Sequence, residues 1–153
     1  MTDPVLMHTA ASDLLTALEV AAEDIGWTLA ESCVMPYEPA SDCVEGIYVW
    51  PSGIDPRHLQ GCQVSSLVTL RFWLVQCGNV NDCGDSATRS PTLHSNVWGT
   101  WAGLLNLWHS NDIFSAPCQC EDVRFGNLEL VEGTGDVVVW AGSVTMALSP
   151  SEA

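Results

Sequence analysis

The chain contains no lysine, and its four arginines stand against nineteen Asp and Glu, a formal charge of −15 over 153 residues. Non-specific nucleic-acid affinity depends on Lys and Arg displacing phosphate counterions. A DNA-binding protein of the usual kind is therefore excluded. The missing lysine also rules out a G-x-x-x-x-G-K-[ST] phosphate loop. No apolar run approaches the roughly 18 residues a membrane-spanning helix needs, so no membrane partner is expected. The first residues, Met1-Thr2-Asp3-Pro4, lack the basic start and apolar run of a secretory signal, which makes synthesis in a reducing cytoplasm the expectation. Repeats, low-complexity tracts and linkers are absent too, and the length suits one domain over residues 1–153. What is present is ordinary for a globular core: 47% hydrophobic residues, enough to exclude disorder despite the charge.

Hydrophobic periodicity outlines the elements. Asp3-Pro4 forms a capping start, Leu14, Leu18, Ala21, Ala22 and Ile25 recur at helical spacing, and Gly26 supplies a stop, predicting a helix over 4–25. Residues 33–43 read as a loop. Val44–Trp50 reads as a strand ended by Pro51-Ser52-Gly53, with Asp55-Pro56 continuing the turn chemistry. Val64–Cys77 is the strongest strand. Val68, Leu70, Phe72 and Leu74 share one face, and Leu67, Thr69, Arg71, Trp73 and Val75 share the other. Both faces carry large apolar groups, so both should be covered, one by helices and the second by another subunit. Residues 78–90 read as a polar loop. A second helix should start at Ser90-Pro91 or at Ser95, with Trp98, Trp101, Leu104, Leu105 and Trp108 as its apolar stripe. Gly99 and Gly103 weaken that helix by about 1 kcal/mol each relative to Ala, unless they admit another element closely. Asp122–Glu132 and Val137–Leu148 read as strands joined by a hairpin turn at Gly133-Thr134-Gly135-Asp136. The order α-β-β-α-β-β predicts an α+β fold: a four-stranded, mainly antiparallel sheet with two helices packed on one face.

Chemistry is harder to find. There is no G-x-S-x-G elbow and no dinucleotide fingerprint, and His8, His58, His94 and His109 are scattered. No catalytic residue and no cofactor is expected. Seven cysteines, at 33, 43, 62, 77, 83, 118 and 120, are many and odd in number. Cys118-x-Cys120 and Cys77-x5-Cys83 lack the C-x2-C or H-x3-H spacing of zinc modules, so no metal is expected. Buried thiols, or one or two disulfides, are the simpler reading. Cys77 and Cys83 bracket a short loop and are the best local pair for a disulfide. Neighbouring carboxylates such as Glu23-Asp24 point in different directions and look solvated. Seven Trp are too many for one small domain to bury completely, and Trp is the residue most enriched at interface hot spots. Arg71 and Trp73 together make the second strand face a candidate contact surface.

The run Leu67–Cys77 (L-V-T-L-R-F-W-L-V-Q-C), the loop leading to a helix, Cys118-Gln119-Cys120 before a strand and the closing strand Gly135–Leu148 follow one another in a recognisable order. This succession, over roughly residues 5–148, resembles the tail-terminator or tail-completion proteins of long-tailed phages that infect actinobacteria. The resemblance implies a virion structural protein at the head–tail junction, made in the host cytoplasm and not an enzyme. It implies a homo-oligomer, a hexameric ring that caps the tail tube protein, stops its polymerisation and joins the tail to the head–tail connector protein. DNA would meet such a ring only in transit, past an acidic channel. A neck or stopper connector of the same virion is the alternative, and a small Cys-rich metal-binding or redox protein is a second.

Overall fold

The computed structural model describes residues 5–40, 42, 44–58, 64–114, 120–134 and 136–148. Helix α1 spans Leu6–Asp24. Its buried side is Ala10, Ala11, Leu14, Ala17, Leu18, Ala21 and Ala22. Gly26 ends it as expected, at φ +79°. The Trp27 N–H donates to the Ala22 carbonyl and the Gly26 N–H to Glu23, both at 3.0 Å, which is the paired bonding of a Schellman cap. Val5 occupies the N-cap without a side-chain bond; the expected Asp3-Pro4 start lies outside the described residues.

The sheet has six strands, not four: β1 (Glu31–Val34), β2 (Gly46–His58), β3 (Val64–Cys77), β4 (Glu121–Phe125), β5 (Glu129–Gly133) and β6 (Val137–Leu148). Their order is β1-β2-β3-β6-β4, with β5 also on β6. Part of the expected 33–43 loop is strand, because β1 pairs in parallel with Gly46–Val49. Pro51-Ser52-Gly53 does not end β2; it makes a bulge, and pairing with β3 resumes to His58. Beyond Val49, β2 has no described partner on its outer side, and an edge is where a strand tolerates the missing proline N–H of Pro51 and Pro56. The expected strand Asp122–Glu132 is broken at Gly126-Asn127-Leu128 into β4 and β5, which pair with successive lengths of β6. At the break the Gly126 N–H donates to Ser143 O at 2.8 Å. A Cβ on Gly126 would lie 2.4 Å from Ser143 Oγ but 3.6 Å from the Ser143 carbonyl, so a side chain there would require the serine hydroxyl to turn away.

Helix α2 covers Cys83–His109 and so includes most of the expected 78–90 loop, with Pro91 inside. The stronger start signal is acidic. Asp82 Oδ1 accepts the Asp85 N–H at 2.8 Å, satisfying one of the first helical donors, and Asp85 Oδ2 accepts the N–H of Asn81, just before the cap, at 3.1 Å. The phase of α2 also differs. Leu93, Val97, Thr100 and Leu104 are buried, while Trp98 and Trp108 are exposed.

Both helices lie on one face of the sheet. Leu14, Leu18, Val97 and Leu104 pack there against Ile47, Val49, Val68, Leu70, Phe72, Leu74, Val144 and Met146. The parity expected for β3 holds, since Trp73 and Val75 lie in a second cluster with Tyr48, Trp50, Val139 and Ala141.

Gly103 and Gly99 are where the helices touch. A Cβ on Gly103 would meet Ala21 Cβ at 2.7 Å and Ala21 Cα at 3.3 Å, whereas one on Gly99 would meet only side-chain atoms of Ile25. Ile25 is half exposed and has room to move. Gly99→Ala is therefore expected to gain most of the ~1 kcal/mol of helix propensity. Gly103→Ala should lose about 1–2 kcal/mol, because the helix backbones must separate. Urea denaturation of the two variants checks the opposite signs; equal shifts would refute the contact account.

Candidate functional site

Arg71 and Trp73 project from β3 onto the sheet face away from the helices. Trp73 is only 8% exposed. It meets Trp50 edge-on, with ring centroids 5.1 Å apart, and Cys33 and Met35 pack against the same cluster. Part of this second face is thus packed by the chain's own Cys33 and Met35. Arg71 differs, because it is only partly buried. It borders two shallow hollows, one of about 220 Å³ with Glu38, Trp73 and Glu132, the other of about 350 Å³ with Ser52, Thr69, Glu129 and Ser143. Its Nε is buried and makes no hydrogen bond.

Cys77 and Cys83 do not form the expected clasp. Cys83 is a free, exposed thiol on the first residue of α2, and Cys77 is disulfide-bonded elsewhere. Backbone bonds fix this end of β3. The Cys77 N–H donates to Glu45 Oε2 at 2.9 Å, Arg89 Nη2 donates to the Cys77 carbonyl at 2.9 Å, and Arg89 Nε donates to Gly78 O. Burial raises the Glu45 pKa, opposed by the Cys77 N–H, by the Trp27 indole and by Arg89. Trp27 Nε1 is buried and has no partner in good hydrogen-bonding geometry, so the indole's help to the Glu45 carboxylate is the weaker one. One residue back, the fully buried Gln76 donates to Leu93 O at 3.0 Å and accepts from Asn96 at 2.9 Å. These bonds stitch the first half of α2 to the sheet. Tyr48 donates to Glu31 Oε1 at 2.8 Å. Burial and then the adjacent carboxylate push its pKa up to about 12, so it stays a neutral donor.

The feature hidden from sequence reasoning is a groove of about 660 Å³ between α2 and the break in the β4–β5 edge, lined by His94, Trp98, Trp101, Leu128, Glu129 and Trp140. It exists because β4 stops at Phe125 and resumes as β5 at Glu129, leaving the helix-facing side of β6 open beside Trp140. Trp101 forms its inner wall, stacked on Phe72 at 6.4 Å and edge-on to Phe125 at 6.1 Å. Trp98 forms the outer lip and is 71% exposed. Its place in an apolar stripe disguised it as a core residue; the only available signal was that Val97 and Trp98 compete for the same helix face.

Among the described residues, no group of three or more His, Cys, Asp or Glu is arranged to hold a metal ion, and no helix is long and apolar enough to cross a membrane. No family model matches the chain, and no curated protein matches it significantly.

Proposed function

We propose that this protein is a virion structural component, a tail terminator whose copies close into a hexameric ring. The ring caps the tail tube, stops its polymerisation and joins the tail to the head-side connector by surface complementarity, with no bond made or broken. The observation that carries the reading is a sheet that, among the described residues, has two unlike open edges, each bearing exposed apolar side chains. On one edge, β2 has no partner among the described residues on its outer side beyond Val49, and Ile54 is 61% exposed there. On the other, β5 carries the half-exposed Leu130 and Val131. A ring closed by rotation needs such a pair, because each subunit offers one patch and receives a different one. Open strand edges suit pairing between subunits. The acidic chain suits a conduit that DNA crosses without sticking, since carboxylates repel phosphate.

The test is assembly. Ile54→Asp and Val131→Asp should each abolish ring formation with the tube protein present, as read by mass photometry, while leaving the thermal midpoint within a few degrees. Tails assembled without the protein should be overlong in electron micrographs. Tails of normal length that merely lack heads would point to the connector, and normal joined tails would sink both.

A further inference from the structure

We propose that the groove between α2 and the β4–β5 break binds a cationic side chain, a guanidinium or an ammonium, presented by a basic segment of a partner protein. The proposal rests on the groove's own chemistry and stands apart from the ring reading. Three indoles, those of Trp98, Trp101 and Trp140, line the space, and Glu129 lies at its rim. Indole faces carry negative electrostatic potential and are the strongest side-chain partners for a cation within about 6 Å. A carboxylate beside them adds Coulomb attraction of the same sign. Among the described residues no arginine lines the groove, and the chain has no lysine. Arg89, for one, is committed to the carbonyls of Cys77 and Gly78.

Charge selects the occupant. Glu129 is the one charged acid among the groove's lining residues and has no arginine beside it there, so a Lys- or Arg-bearing segment is drawn toward it. Trp98 is the part of the site left for a partner to cover, because its indole faces solvent while Trp101 is held by Phe72 and Phe125. His94, one turn before Trp98 and exposed, also lines the groove.

The experiment titrates the whole chain with N-acetyl-arginine methylamide and with tetramethylammonium chloride at fixed ionic strength. Indole N–H resonances are read after assignment by Trp98→Phe and Trp140→Phe. Saturable shifts confined to the groove indoles are expected for both ligands. Trp98→Ala should weaken binding about tenfold, and Glu129→Gln about threefold with a smaller dependence on salt. Trp98 and Glu129 are exposed, so both variants should keep the parent's thermal midpoint. N-acetyl-leucine methylamide binding as well as the arginine compound would overturn the proposal in favour of a neutral apolar ligand. Concentration-dependent shifts of the same indoles without ligand would overturn it in favour of a second copy. The absence of saturable shifts with either cation would overturn it outright.

Discussion

Replacing Gly142 with Ala lowers the unfolding free energy by about 2–3 kcal/mol, a large share of the ~5–15 kcal/mol that holds a domain together. Gly142 lies opposite Phe72 in the β3–β6 register. A Cβ there would sit 2.3 Å from Phe72 Cζ and 2.7 and 3.0 Å from the two Cε carbons. The ring has little room to retreat: Phe72 is fully buried, and Trp101 stacks against it. Relief from the flexible glycine backbone offsets only about 0.5–1 kcal/mol, so the overlap wins. Phe72→Leu should rescue the alanine variant by removing the ring atoms it strikes. A double-mutant cycle from urea denaturation measures the coupling, expected at more than 1 kcal/mol. Additivity within about 0.5 kcal/mol would refute the direct clash.

This glycine also shows what a sequence can and cannot disclose. The alternation of Val68, Leu70, Phe72 and Leu74 against Arg71, Trp73 and Val75 was readable because a strand has a period of two and each side chain reports its face. β6 and the stop at Gly26 were readable for equally local reasons. Nothing local to Gly142 says that a ring from the neighbouring strand fills the place of its side chain.

Elsewhere, distant contacts overrode local signals. Pro91 marks a plausible helix start, yet α2 begins at Cys83 because Asp82 and Asp85 cap it and because Arg89, Gln76 and Asn96 tie its first half to β3. Those bonds compensate for the backbone bond that proline removes. Pro51 signals a strand end, but β2 continues because that stretch is held by β3 alone. The groove was the least readable feature of all. It depends on where β4 breaks and on the helix phase that buries Val97 and exposes Trp98, and neither is encoded within a single segment.

Reduction should cost the fold about 2–4 kcal/mol for each disulfide it opens, the second of the large effects. Cys77 and Cys120 are both disulfide-bonded, but not to each other. Cys77 lies opposite Val137 at the start of β6, and Glu121, next to Cys120, lies opposite Ala147 near its end. Ten strand residues separate those positions by about 33 Å, far beyond the reach of an S–S bond. There are accordingly two bonds, one toward each end of the sheet. Cys77 matters more, because its N–H and carbonyl hold Glu45 and Arg89, and Arg89 anchors the first half of α2. Opening that bond should speed amide exchange over residues 83–93 more than over the centre of β3. Alkylating the unfolded, unreduced protein should modify Cys33 and Cys83, both free thiols, and spare Cys77 and Cys120; modification of either of the latter would refute the assignment. On the proposed virion role the subunit is made reduced in a cytoplasm that keeps thiols free. It would then enter the tail with less than its final stability and gain the remainder on oxidation, so particles treated with reductant should shed or loosen their tail tops at lower temperature than untreated ones.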